Sequence, residues 1–213
     1  MNIVIFGPPG AGKGTQAQNI IKKFNLYQVS SGDILRNEIK KKSDIGKKVE
    51  NIISKGDFAT DDIINDLIKK VIINPNYRNR IIFDGYPRTI DQSKNLDNIL
   101  KEFNQKIDLI ISLHVSREVI EKRIIGKITC EKCNITLNEF FDQDQMKFHP
   151  CGSNHFIKRK DDNSEILMKR YEVYVKTTQP VIKYLSKKGN FLEIDGTLKI
   201  EEITSKIDTF ISL

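Results

Sequence analysis

Short, almost unbroken apolar runs alternate along this chain with longer stretches whose apolar residues recur every three or four positions. The runs "NIVIF" (2–6), "RIIFD" (80–84) and "DLIISLHV" (108–115) read as strands buried on both faces. "YQVS" (27–30) and "FLEI" (191–194) carry a weaker version of the same signal. Between the runs, residues 13–24, 89–103, 117–125 and 165–185 have helical spacing, the last interrupted by Pro180. Strand and helix in alternation predict an α/β fold, a parallel five-stranded sheet with helices on both faces.

Two segments depart from that alternation. Residues 30–59 hold helical fragments ("DILRNEIKKK", "GKKVENIISKG") with no strand between them, and residues 126–158 are polar and contain all three cysteines. Both are expected as insertions at strand ends. The resulting division is a core of residues 1–29, 60–125 and 163–213, a first insertion at 30–59 and a second at 126–162. Open α/β sheets bind ligands just beyond the carboxyl ends of their strands, so insertions there serve as covers.

Composition refines this only in places. At 213 residues the chain can bury one substantial core, and no Pro/Gly/Ser tract marks a second independent domain. The net charge of +7 comes mainly from lysines scattered among Asn and Ile, a solvated surface rather than a basic stripe, so nucleic acid is not expected as a partner. No apolar run approaches the ~20 residues of a membrane span, and the opening "MNIVIFG" lacks a charged leader. A cytoplasmic protein without membrane contact is the expectation. Arginine is scarcer than lysine, and each arginine is a candidate for planar, bidentate phosphate binding.

The stretch "GPPGAGKGT" (7–15) concentrates the chemistry. Gly7 and Gly12 flank four residues, Lys13 follows, and the whole sits between a predicted strand and a predicted helix. Glycines let successive N–H groups aim at a phosphate, the helix N-terminus adds positive potential, and Lys13 adds a full charge. Gly14 stands where such loops usually place a magnesium-binding Ser or Thr.

Together with "SSGDILR" (30–36), "FDGYPRT" (83–89), Gln92 and "RKDDN" (159–163), this loop resembles adenylate kinases of the long-lid type, in register over nearly the whole chain. The resemblance implies a P-loop nucleoside monophosphate kinase fold whose insertions are a monophosphate-binding cover and a lid. It implies the reaction ATP + AMP ⇌ 2 ADP, with small-molecule substrates ATP, AMP and ADP and a monomeric chain. In that family Gly commonly follows the lysine, and Mg2+ is carried mainly by nucleotide phosphates and waters, with Asp84 acting through water. Catalytic roles carry over to Lys13, Asp84, Arg88, Arg123, Arg159 and Arg170. Donor contacts carry over to Gly10, Ala11, Gly12, Lys13, Gly14, Thr15, Lys127 and Leu198. Contacts to AMP carry over to Ser31, Arg36, Asp57, Phe58, Ala59, Gly85, Tyr86, Pro87, Arg88, Gln92, Arg159 and Arg170. Two positions depart from the family pattern: Lys127 replaces an arginine, keeping the charge but losing the fork, and Ser31 replaces a threonine.

The residues also argue for themselves. An acceptor phosphate with a second pKa near ~6 is mostly ionised at neutral pH and needs no strong base, so the protein must supply neutralisation, alignment and dryness. Arg170 shares a helix face with Ile166, Val173 and Tyr174, so something anionic should meet it, a ligand phosphate or a bracing Asp or Glu. Asp84 ends an apolar run at the ligand edge, where an ordinary turn Asp before Gly85 reads the same way. The Gln92 amide can both donate to and accept from an adenine edge; a solvated helix Gln is the alternative.

Cys130 and Cys133 form a CxxC knuckle and Cys151 follows after seventeen intervening residues, an odd set that argues against a disulfide framework. The spacing resembles the zinc-bearing lids of some family members, with structural Zn2+ held by Cys130, Cys133, Cys151 and His155; Asn154, at the matching position, is a poor ligand, and His149 is the other candidate. Free thiols are the alternative. Three rival functions remain at this point: a related kinase with another donor or acceptor base, a P-loop switch or ATPase, and a zinc ribbon on a nucleic-acid binder.

Overall fold

The computed structural model describes residues 1–55, 57–158 and 164–212. In chain order these form β1 (Ile3–Phe6), α1 (Lys13–Phe24), β2 (Tyr27–Ser30), α2 (Ser31–Lys40), α3 (Asp44–Ser54), α4 (Asp61–Ile72), β3 (Ile81–Asp84), α5 (Ile90–Glu102), β4 (Leu109–His114) and α6 (Arg117–Ile125). There follow β5 (Lys127–Cys130), β6 (Thr136–Asn138), α7 (Gln143–Lys147), β7 (Phe156–Ile157), α8 (Ser164–Val173), α9 (Gln179–Leu185), β8 (Phe191–Asp195) and α10 (Ile200–Ile211).

The five apolar runs pair in the order β2-β3-β1-β4-β8, parallel throughout. Side chains alternate across a strand, so β1 feeds two cores. Ile3 and Ile5 face one layer with Ala17 and Ile20 of α1, Ile120 and Ile124 of α6, and Ile203 and Ile207 of α10. Val4 and Phe6 face the other with Ile64, Leu67 and Ile68 of α4, Leu96 and Leu100 of α5, and Val181 and Leu185 of α9. Every residue of β1 is buried, which is why its sequence shows no polar alternation. The parallel register brings the strands' carboxyl ends level, Ile5 beside Asp84 and Phe6 beside Ser112, so the loops that follow them share one edge.

Two helices lie outside the periodicity read above. α4 buries Ile64, Leu67, Ile68 and Ile72 and opens with Asp61 and Asp62, while α10 buries Ile203 and Ile207. Both carry the expected three-and-four spacing, hidden by the Ile and Lys that fill the surrounding sequence. Pro180 does not end its helix. α8 runs through a π-helical turn, Tyr174–Thr178, into α9, with Pro180 in the first turn of α9, where its missing N–H costs least.

Between β2 and α4 the chain folds as α2 and α3, joined tightly. Ser43 caps α3 by accepting from the Gly46 N–H at 3.0 Å and reaches back to the Glu38 carboxylate at 2.6 Å. A Cβ on Gly46 would lie 2.1 Å from the Glu38 carbonyl oxygen, so the helices meet backbone to backbone. After α6 a small antiparallel sheet, β6-β5-β7, buries only Ile128, Cys130 and Leu137 from β5 and β6 besides Thr129.

Gly46→Ala should therefore force α2 and α3 apart. Urea denaturation should report a loss of about 1–3 kcal/mol or more; an unchanged midpoint would mean that the contact is soft.

Candidate active site

The loop after β1 bends through left-handed glycines, Gly10 at φ 81° and Gly12 at φ 92°, conformations that side-chain-bearing residues rarely adopt. A Cβ on Gly12 or Gly14 would meet nothing within 4 Å, so the backbone N–H groups at the start of α1 border open space. Ala11 is buried against the core behind them, and Thr15 is exposed. Lys13 opens α1, and its Nζ donates to the carbonyls of Gly7 at 2.8 Å and Pro8 at 3.0 Å. Burial pulls the Lys13 ammonium down to about 8, against the attraction of Asp84 and with the repulsion of Arg88 and Lys127.

Asp84 closes β3, beside Ile5 and Ser30 in register, and accepts from Gln28 Nε2 at 3.1 Å. Burial raises its carboxyl above the ordinary range, opposed by Lys13; Asp33 raises it further, and Arg88 and the Gln28 hydrogen bond hold it down. The turn that follows needs glycine: Gly85 sits at φ 75°, and a Cβ there would come 2.8 Å from Ser31 Oγ. Beyond the cis Tyr86–Pro87 peptide, Arg88 is held on three sides. Its Nε donates to the Gly85 carbonyl at 2.6 Å, a terminal nitrogen donates to Ser31 Oγ at 3.3 Å, and the guanidinium lies 4.0 Å from the centre of the Phe58 ring. Burial draws Arg88 down to about 10 against Asp84, and the guanidiniums of Arg170 and Arg36 repel it.

Lys13 thus feels Asp84, Arg88 and Lys127, while Arg88 feels Asp84, Arg170 and Arg36. Arg36 also pairs with Asp33 at 2.7 Å. Arg170 donates to the Ile53 carbonyl at 3.4 Å, and its neighbour Lys169 reaches Asp57 at 2.7 Å and the Lys55 carbonyl at 2.9 Å. Two consecutive residues of α8 therefore hold the last turn of α3 and the segment that follows it. Tyr86, Pro87 and Ala59 are buried around the turn. Gln92 is 3% exposed, so it is not a solvated helix residue: its Oε1 accepts from the Arg88 N–H at 2.7 Å and its Nε2 donates to Asp61 at 2.6 Å.

Arg123 stands apart from that cluster. It lies on α6, where burial lowers its pKa against the pull of Asp195. Asp195 ends β8 and is held low by hydrogen bonds from Thr197, at 2.6 Å from Oγ1 and 2.8 Å from N, and Leu198 packs behind that turn. Arg159, with the rest of 159–163 and Gly56, lies outside the described residues. Asp61, Gln28 and Asp195 are site neighbours that the sequence reading did not single out. Asp61 had a signal, a carboxylate in the first turn of an apolar-periodic helix; the other two are ordinary residues until the strands align.

The metal-binding candidates need one correction. The structure gathers Cys130, Cys133, Cys151 and His149, not His155, with all four ligand atoms within 4.8 Å of one another. The Cys130 and Cys151 sulfurs are 3.6 Å apart, close to the roughly 3.8 Å that two thiolates ~2.3 Å from one tetrahedral ion would span. His149 Nε2 is 3.1 Å from Cys133 Sγ, and its Nδ1 is buried without a partner. His155 is exposed, its backbone tied to Ser153 and Glu131. The tight turn from His149 to Gly152 folds the imidazole back over the knuckle, which HxC spacing allows and which the fit to a CxxC pair obscured. Burial opposes ionisation of the Cys130 thiol, yet backbone N–H groups of Cys133 and Lys132 and the neighbouring thiols bring it down to about 6. The cluster can hold a metal ion.

Among the described residues no helix is long and apolar enough to cross a membrane. A family model described as adenylate kinase matches residues 5–190. The chain is similar to the adenylate kinase of Pelagibacter ubique, 54% identical over 213 residues that cover the whole of both chains. It is also similar to the adenylate kinases of Archaeoglobus fulgidus, 37% identical with 99% of this chain and 98% of the relative covered, and of Petrotoga mobilis, 39% identical with 97% and 95% covered.

Binding a polyanion favours the charged form of Lys13, so affinity should be full below about pH 8 and decline as pH rises through that value. Calorimetry with inorganic tripolyphosphate should show a loss of up to about tenfold per pH unit above it, and Lys13→Ala should flatten that dependence. A slope unchanged in the variant would assign the titration to another group.

Proposed function

The chain belongs to the adenylate kinase family, the nucleoside monophosphate kinases of that name, and we propose that it catalyses the magnesium-dependent transfer ATP + AMP ⇌ 2 ADP, acting as a monomer in adenine nucleotide homeostasis. The observation that carries this reading is the convergence of charge just beyond the strands' carboxyl ends, where Arg88 feels Arg36, Arg170 and Asp84 and Lys13 feels Arg88, Lys127 and Asp84. Two facing phosphate chains are a ligand chemistry that such a concentration of cationic side chains suits.

In this reading the N–H groups of Gly10, Ala11, Gly12, Gly14 and Thr15 hold the donor phosphates, and Lys13 Nζ exchanges its loop carbonyls for phosphate oxygens. Arg88, Arg36 and Arg170 fork onto the acceptor phosphate and align it for in-line attack, with Ser31 and Gly85 shaping the turn. Asp57, Phe58, Ala59, Tyr86, Pro87 and Gln92 enclose the acceptor base, Lys127 and Leu198 serve the donor, and Arg123 and Arg159 reach the transferring phosphoryl group, Arg159 also contacting AMP. Residues 30–59 and 126–162 act as covers that close over the two nucleotides and exclude water, which would otherwise accept the phosphoryl group. No base is required of the protein, because the acceptor phosphate is mostly ionised at neutral pH, with a second pKa near ~6.

Magnesium fits Asp84, a hard oxygen donor whose Oδ1 accepts no hydrogen bond among the described residues. Bound with the nucleotides, the ion would neutralise charge across their phosphates. Zinc fits the Cys130, Cys133, His149 and Cys151 set, where three thiolates and an imidazole leave no open position and the role is structural.

A coupled assay across donor and acceptor pairs should give the highest kcat/KM with ATP and AMP, and a preference for UMP or GMP as acceptor would overturn the reading. Arg88→Ala should lower kcat at least about hundredfold while the circular dichroism spectrum stays unchanged. Elemental analysis should find about one zinc per chain, reduced by His149→Ala and kept by His155→Ala; the reverse would restore His155 as the ligand.

A further inference from the structure

We infer that Asp61 is a positioning residue that sets the acceptor-base specificity by locking the direction of the Gln92 carboxamide. A glutamine amide is nearly symmetric in shape, and turning it over exchanges its donor and its acceptor. Here the neighbours decide. Asp61 can only accept, and its Oδ1 takes Gln92 Nε2 at 2.6 Å; the Arg88 backbone N–H can only donate, and it meets Gln92 Oε1 at 2.7 Å. Asp61 is itself pinned, because its Oδ2 accepts from Thr89 Oγ1 at 3.0 Å while the same hydroxyl caps α5 by accepting from the Gln92 N–H at 3.1 Å. The carboxylate thereby ties the first turn of α4 to the first turn of α5, with Tyr86 bridging nearby to Asn65 at 2.6 Å.

With those bonds made, Gln92 keeps one N–H and one oxygen lone pair, in a fixed order. Adenine offers a ring-nitrogen acceptor beside an amino donor and matches that order. Guanine carries an N–H and a carbonyl at the same two ring positions, so a locked amide would meet donor with donor and acceptor with acceptor. A freely turning amide would accommodate both bases. Specificity then resides one residue behind the side chain that touches the base, in a carboxylate with no ligand contact.

The inference rests on the proposed AMP kinase reading, and one assay series separates the two. Wild type is measured with ATP and either AMP or GMP, alongside Asp61→Asn, whose amide can pair with Gln92 in either direction, and Asp61→Ala, which leaves only the Arg88 N–H to hold it. The ratio of kcat/KM for AMP to that for GMP should fall roughly tenfold or more in both variants. KM for ATP and the melting curve should stay close to wild type in Asp61→Asn. A wild type that ignores AMP would remove the functional reading itself. A folded Asp61→Asn or Asp61→Ala with the wild-type ratio would overturn the role of Asp61 alone. A merely structural Asp61 would lower activity with both acceptors equally and leave the ratio unmoved, which also overturns it. The Gln92 side-chain amide gives an independent readout by NMR: its two protons should be widely separated in wild type, one facing a carboxylate, and should converge in Asp61→Ala.

Discussion

Repulsion among cations that meet beyond the carboxyl ends of the sheet is the constraint around which this molecule is arranged. Burial and like charge together draw Lys13 down to about 8 and Arg88 down to about 10, so the fold holds these groups where their charged forms are least comfortable. It does so with backbone carbonyls, a phenyl face and the carboxylates of Asp84 and Asp33. The braces come from different elements: the loop after β1 for Lys13, the turn after β3 for Arg88, α2 for Arg36 and α3 for Arg170. A parallel sheet supplies the common edge that makes such convergence possible.

The sheet was legible because its strands are buried on both faces, which turns each into an apolar run that needs no partner to be recognised. The phosphate loop was legible for a related reason. Its glycines answer to local backbone geometry, and Gly10, Gly12 and Gly85 all adopt the left-handed conformations that their motifs imply. The arginines could be named from the family resemblance, but no single-chain pattern states that Arg36, Arg88 and Arg170 meet, since α2, the β3 turn and α8 are brought together only by tertiary packing.

What stayed hidden was whatever depends on a second residue's position. His149 and His155 are equivalent on paper, and only the fold of the loop before Cys151 decides which imidazole reaches the thiols. Gln92 could be named as a base contact from the resemblance, but that Asp61 and the Arg88 N–H occupy its amide shows only in the fold. Helices α4 and α10 were obscured by composition, because isoleucine and lysine are so common here that periodicity in any one window stands out little against the rest.

The π-helical turn ahead of Pro180 changes the phase of the helix that contains it. Before the turn, Leu167 packs with the α1 and α6 layer on one side of the sheet; after it, Val181, Ile182 and Leu185 pack with the α4 and α5 layer on the other. One residue advances a helix by ~100°, so the extra residue in the wide turn rotates everything downstream by that amount. Within this segment chain length is therefore a structural variable in its own right: a one-residue deletion that touched none of the charged groups would swing the inward stripe of α9 out of its layer while leaving Arg170 where it stands.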